Sequence, residues 1–370
     1  MKLETFALES WMTEHEKEYT YNLAESCVAA LSIEDLLSYT NNAKEILDNL
    51  YKTKLDYGPI EGSKKLMLGI LKLYDTGNYE NLAICHGCIS ANEMVLTSLL
   101  DKEDHIITIL PTYQQLYSLP QSYGVEVIFV RLQKEKGWIP EVNEFETLIK
   151  SNTKMICLTS PNNPTGTSFS KTLLEELVVL AKKYDLYIFI DEAYRGASIS
   201  KEVAISDIYE KGISTGSMSK VFGLPGIRMG WIKGPTSLIK EINNRKDYHM
   251  ISNGYIYDYL ASIALEQYDK IHERTLRICE QNRQLIKDWI ANEPLVSCVL
   301  PTTGTIAFLE YHIDMPSDEL CIKLQKDTGV FFVPGSCFGI EHHLRFGMAN
   351  DPEIIEEGLT IFSEWLHKQK

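Results

Sequence analysis

KMICLTSPNNPTGTSFSKTLLEELVVLAKKYDLYIFIDEAY, residues 154–194, holds one complete repeat of the pattern that sets the fold. KMICL (154–158) and LYIFI (186–190) are short apolar runs of strand length. KTLLEELVVLAKKY (171–184), between them, has helical periodicity. The alternation extends in both directions. IITIL (106–110) precedes a helical stretch over 113–122, and VEVIFV (125–130) follows it. IST (213–215) and IRMGWI (227–232) supply two further strands. Apolar strands separated by helices predict an α/β fold with a mostly parallel, doubly wound sheet. Its helices cover both faces.

The chain ends follow a different rule. Residues 267–292 predict one long helix. After it come CVL (298–300), TIAFLEY (305–311), a helix near 317–328, VFFV (330–333), HLRFG (343–347) and a last helix near 352–367. That is an α+β order, expected of a smaller second domain. The first 35 residues are expected to pack with it, since helical periodicity resumes only near Asn41. The predicted division is a large domain over 36–265 and a discontinuous small domain from 1–35 and 266–370, joined by a helix.

A chain of 370 residues suits two such domains. Apolar residues make up 44% and charged residues 24%, which sets aside disordered and low-complexity classes. The formal charge of −15 argues against a nonspecific nucleic-acid binder, though not against a local anion site. The first 22 residues carry Glu4, Glu9, Glu14, Glu16 and Glu18 and lack the basic start and apolar run of a signal peptide. No apolar stretch is long enough for a membrane span. Eight scattered cysteines predict reduced thiols in the cytoplasm. Cys85 and Cys88 form a lone C-x-x-C without a second pair at zinc spacing, so no metal is expected. Cys85 is expected to end a strand, with Cys88 in the turn after it.

Four segments carry candidate chemistry. Ser217-Met218-Ser219-Lys220 precedes Gly223-Leu224-Pro225-Gly226-Ile227-Arg228. A lysine among small hydroxyl residues and glycines suits a Schiff-base nucleophile, which must be desolvated enough for its amine to be neutral. The serines and Arg228 suit a dianionic phosphate. Asp191-Glu192-Ala193-Tyr194-Arg195 follows LYIFI, where parallel sheets bind ligands. Asp191 there either pairs with a protonated heterocyclic nitrogen or caps a helix. Ser160-Pro161-Asn162-Asn163-Pro164-Thr165-Gly166 reads as a rigid turn presenting amides. His86-Gly87-Cys88-Ile89-Ser90-Ala91-Asn92 is a glycine turn opening a helix over 89–100, whose backbone N–H groups suit an anion.

In this order and spacing the segments resemble the class I/II aminotransferases, which are fold-type I pyridoxal-phosphate enzymes. Tyr57-Gly58-Pro59-Ile60-Glu61-Gly62, Pro111-Thr112-Tyr113 and Pro334-Gly335-Ser336-Cys337-Phe338-Gly339 with Leu344-Arg345-Phe346 match further family segments. The resemblance implies pyridoxal 5'-phosphate as cofactor, joined to Lys220 as a Schiff base. Lys220 then moves the proton from the substrate α-carbon. It implies that Asp191 holds the pyridine nitrogen, that Tyr194 and Asn163 reach the phenolic oxygen, and that Tyr113 stacks on the ring. The implied phosphate cup is Ser217, Ser219, Arg228, Ser90 and the backbone at Cys88 and Ile89. G-C-I-S departs from the family's usual order there and displaces the Ser90 hydroxyl. Tyr57 is implied to reach the phosphate of a neighbouring subunit, which requires a homodimer. Arg345 is implied to clamp the substrate carboxylate. His342 and His343 are read as loop residues.

The implied activity is amino transfer between an L-amino acid and a 2-oxo acid. Asn22-Leu23-Ala24-Glu25-Ser26-Cys27 resembles the aminocyclopropane-carboxylate synthase branch. Other fates of the substrate therefore stand as the alternative: β/γ-elimination, cyclisation or oxidation. Glu25 suits a basic side chain such as arginine. A winged-helix transcription regulator of the same family would need an N-terminal module that the roughly 35 residues before the core of this acidic chain do not supply, and Lys220, Asp191 and Arg228 together argue against a non-catalytic relative.

Overall fold

A computed structural model describes residues 3–198 and 200–369. Its strands, in chain order, are β1 (Tyr21–Asn22), β2 (Leu82–His86), β3 (His105–Leu110), β4 (Glu126–Arg131), β5 (Thr153–Thr159), β6 (Tyr187–Asp191) and β7 (Gly212–Ser217). They continue as β8 (Met229–Lys233), β9 (Val296–Cys298), β10 (Ile306–Tyr311), β11 (Val330–Phe331), β12 (Val333–Pro334) and β13 (His343–Gly347). Seven strands form the central sheet in the order β2-β8-β7-β6-β5-β3-β4. Only β8 runs against the others, pairing antiparallel with both β2 and β7. The helix 171–184 connecting β5 to β6 has the predicted bounds, and Ser170 caps it by accepting the Leu173 N–H.

Alternation along the strands explains the two buried faces. On β5 and β6, Met155, Cys157 and Phe189 join a core with Val95 of the helix Gly87–Leu99 and Leu238 of the helix Thr236–Lys246. Their neighbours Ile156, Leu158, Ile188 and Ile190 join the opposite core, with Leu174 and Leu177 of the helix Lys171–Tyr184. A two-residue period with both sets apolar is what a doubly covered sheet requires. The opposite core is continuous with Phe308, Phe332 and Phe346 of the C-terminal part.

That part is a four-stranded sheet, β12-β13-β10-β9, backed by helices. The N-terminal residues are tied into it. β1 pairs in parallel with β11, Tyr21 opposite Val330. Beyond β1 the chain runs toward the central sheet. The Leu23 carbonyl accepts from Gly347 N at 2.7 Å, the Ser26 carbonyl from Thr305 Oγ1 at 2.6 Å, and Val28 N donates to the Lys220 carbonyl at 3.0 Å. Two local readings change. Cys88 lies in the first turn of the helix 87–99 rather than before it, and His343 begins β13 rather than sitting in a loop. The helix Ala7–His15 adds an element for which no expectation was formed.

Gly347 is where the N-terminal segment lies closest to β13. A Cβ there would sit 1.7 Å from the Glu25 carbonyl oxygen. Gly347→Ala is therefore expected to lower folding stability by about 1–3 kcal/mol through overpacking. Chemical denaturation measures this, and an unchanged midpoint would show that residues 23–26 move aside freely.

Candidate active site

Asp191 ends β6 and is buried, 5% exposed. Its Oδ2 accepts from Asn92 Nδ2 at 2.7 Å. Its Oδ1 accepts from Ala193 N at 2.9 Å and from the Cys88 thiol at 3.3 Å. Asn92 is itself held, its Oδ1 accepting from Thr215 Oγ1 at 2.7 Å on the neighbouring strand β7. Burial pushes the Asp191 carboxyl upward, and the Ala193, Asn92 and Cys88 donors with the nearby Lys220 charge only partly restrain it. Glu192, the next residue, faces away from the cavity. It pairs with Arg195 at 2.9 Å and accepts from Ser214 Oγ at 2.7 Å, a structural role.

Lys220 follows β7. Its Nζ donates to Ser26 Oγ at 2.7 Å and lies 5.6 Å from the centre of the Tyr194 ring. Burial alone would depress this amine, as the sequence reading required. The facing Tyr194, Cys27 and Glu25 groups outweigh it and hold the amine above its ordinary range. Glu25 responds to the same contacts. Burial would raise its carboxyl, but Lys220, the Cys27 N–H at 2.7 Å and Arg345 bring it below the usual range. Burial pushes the Cys27 thiol up to about 11, so it is neutral.

The opposite end is built for an anion. Ser217 and Ser219 are both buried, and Ser219 N donates to Ser217 Oγ at 3.3 Å. Arg228 adopts a left-handed backbone, φ 49°, just before β8. A Cβ on Gly87 would lie 2.6 Å from Arg228 Nη2, so only glycine lets the guanidinium rest against the start of the helix 87–99. A cation joined to a helix N-terminus favours a dianion. The turn after β5 separates its two asparagines. Asn162 Nδ2 braces the turn by donating to the Pro111 carbonyl at 3.1 Å and Thr165 Oγ1 at 3.0 Å, while Asn163 lines the cavity with its buried Oδ1 unpartnered.

Arg345 closes the far wall from β13, 3% exposed. Its Nη2 donates to the Ala24 carbonyl at 3.0 Å, and its buried Nε has no partner among the described residues. Tyr113 donates its hydroxyl to Glu9 Oε1 at 2.9 Å, and burial together with Glu9 raises it well above its ordinary value.

These groups surround one cavity of about 350 Å³, large enough for a cofactor with a small substrate. Lys220, Asp191, Tyr194, Asn163, Ser217, Ser219, Arg228, Cys88, Ile89, Tyr113, Glu25 and Arg345 all line it. Ser90 and Tyr57 do not. Ser90 lies between Ile89 and Asn92, which do line the cavity, and Tyr57, 62% exposed, lines a separate groove with His86 and Tyr248. Glu9, Glu16, Ser26 and Asn92 line the cavity as well, without having been singled out. The signal for Asn92 was a polar residue one turn after Cys88, among the apolar positions Ala91, Met94 and Val95 of the helix. Glu9 and Glu16 lacked one, because their relation to the cavity depends on a helix packed from the chain's far end.

The family model for aminotransferase class I and II matches residues 31–362. The chain belongs to that family. This aminotransferase is similar over its whole length to a PLP-dependent aminotransferase from Streptococcus suis, with 37% identity and a TM-score of 0.97, covering 100% of this chain and 99% of that one. It is 25% identical over 312 residues to capreomycidine synthase of Streptomyces vinaceus, covering 84% of this chain and 80% of the relative. It is also 25% identical over 328 residues to an aspartate aminotransferase of Pyrococcus horikoshii, covering 85% and 84%. The family's cofactor is pyridoxal 5'-phosphate. The aminotransferase's cavity fits it: an arginine and a helix start at one end, a buried carboxylate in the middle, and a lysine beside both.

Asn92 tests that fit without touching the reacting atoms. Asn92→Ala removes a donor to a buried carboxylate, worth about 1.5–3 kcal/mol. Cofactor retention, followed by absorbance after dialysis, is expected to weaken roughly ten- to hundredfold. Unchanged retention would mean that Asp191 does not depend on this bond.

Proposed function

We propose that this aminotransferase carries out amino transfer between an L-amino acid and a 2-oxo acid with the residue roles that follow. The observation that supports them is the convergence of Lys220, Asp191 and Arg345 on one cavity, with Arg345 Nε buried and unpartnered. Bound there, the cofactor supplies an aldehyde for the amino group and a ring that takes up electrons released at the α-carbon. Arg228, Ser217, Ser219 and the helix start hold its phosphate. Asp191 keeps a proton on the ring nitrogen, and burial with three donors keeps that carboxylate in place. Tyr194 and Asn163 orient the ring oxygen, and Tyr113 covers one face. Arg345, which lines the cavity, takes the substrate carboxylate and so aligns the α-carbon with Lys220. Lys220 Nζ accepts the α-proton once its amine is free, and Ser26 Oγ at 2.7 Å holds that amine in position.

The wider reading is also proposed here. Leu55 and Tyr248 are about nine-tenths exposed and line the same groove as Tyr57. Apolar side chains left open in this way favour a homodimer in which Tyr57 serves the partner's site. All eight cysteines are free, which favours the cytoplasm. The division into 36–265 and a small domain from both ends is supported by the β1–β11 pairing. The relative named capreomycidine synthase favours a second reading, a different fate of the same substrate complex.

Borohydride reduction of the yellow holoenzyme should place the cofactor's mass on Lys220. Lys220→Ala should lower turnover by roughly 10²–10⁴-fold or more. A single amino acid should convert the cofactor to its amine form without ammonia. Release of ammonia, uptake of oxygen or a cyclic product would replace amino transfer by the second reading. Sedimentation should show a dimer, and Leu55→Asp with Tyr248→Asp should dissociate it. A monomeric parent protein would refute the shared-site reading.

A further inference from the structure

The end of the cavity beyond Arg345 carries charge that neither the cofactor nor a substrate α-carboxylate uses. Its cationic lining residues are Lys220, Arg228 and Arg345. Each already has a partner in the amino-transfer reading, on which the present inference rests: the aldehyde, the phosphate and the substrate carboxylate. Asp191 has the ring nitrogen. Three carboxylates remain, Glu9, Glu16 and Glu25.

They come from separate parts of the N-terminal segment. Glu9 is on the helix Ala7–His15, Glu16 follows it directly, and Glu25 lies beyond β1. The hydrogen-bond donors to Glu9 and Glu25 are neutral, the Tyr113 hydroxyl and Cys27 N–H, and the cations that act on Glu25 and Glu16, Lys220 and Arg345, are the ones taken up by the aldehyde and the substrate carboxylate. The three also repel one another. Burial raises the Glu16 carboxyl first, and the charges of Glu25 and Glu9 raise it further. Leu8 and Met12 provide apolar wall on the same helix. Arg345, 3% exposed, lines the same space, and its Nε has no partner among the described residues.

We propose that the substrate side chain ends in a cation, a guanidinium or an amine, held among Glu9, Glu16 and Glu25. Its methylene stem lies on Leu8 and Met12 while the α-carboxylate is on Arg345, an amphipathic placement ordinary for arginine-like chains. A dicarboxylic substrate would put a further anion among three carboxylates and is rejected by the same charges.

The test compares two compounds that lack an α-amino group and so cannot react. 4-Guanidinobutanoate and 4-ureidobutanoate have nearly the same shape and differ in charge. Calorimetric titration of the holoenzyme should show the guanidino compound binding at least about tenfold more tightly. The ratio should fall several-fold in Glu16→Gln and in Glu25→Gln. Equal or tighter binding of the ureido compound by the parent holoenzyme overturns the proposal without recourse to any variant. L-arginine and L-citrulline give the matching comparison in single turnovers. A KM ratio near one, with both converting the cofactor, overturns the cationic substrate and leaves amino transfer standing. If no basic, neutral or acidic amino acid converts the cofactor, amino transfer fails and this proposal falls with it.

Discussion

A carboxylate removed from water at the end of a buried strand is the constraint around which this protein is organised. Burying an unpaired charge is expensive, so a stable Asp191 needs donors aimed at it from several elements. It has them: an amide from the helix after β2, a backbone N–H from the turn after β6, and a thiol from the first turn of the same helix. The amide is fixed in turn by Thr215 on β7. Placing these donors fixes β2, β6, β7 and the helix 87–99 relative to one another. Arg228, Gly87 and Lys220, which sit at the same edge, are thereby set as well.

The cofactor end of the cavity and the substrate end are built in different ways. The first comes from one sheet edge, where parallel strands deliver their following loops to a common crevice. The second comes from the two chain ends. β13 carries Arg345, and residues 23–28 pass between Gly347 and Lys220, bonded to both neighbours. That passage brings Ser26 to the Lys220 amine and Glu25 near Arg345.

The charge of Lys220 illustrates how the two ends meet. Desolvation alone depresses a lysine, and that was the expectation for a nucleophile. The N-terminal segment adds Glu25 and Cys27 and the sheet edge adds Tyr194, and the balance reverses.

The sequence by itself determined the doubly wound sheet, because short apolar runs of strand length alternate with helical periodicity from 106 to 190. It also determined most of the cofactor end. Asp191, Asn163, Lys220 and Arg228 lie immediately after or before strands, so strand order alone brings them together. Asn162 and Asn163 looked equivalent in the turn before the family resemblance was considered, and Glu192 beside Asp191 was given no role. Tertiary packing separated them, one of each pair facing the cavity and the other bracing a turn or pairing with Arg195. Glu9 and Glu16 were visible only as part of an acidic N-terminus. Their place beside Arg345 depends on the helix 7–15 and β1 docking on the C-terminal part, more than 300 residues away in the chain. Local periodicity carries no information about contacts at that separation. Burial and backbone pairing between the two ends decided them.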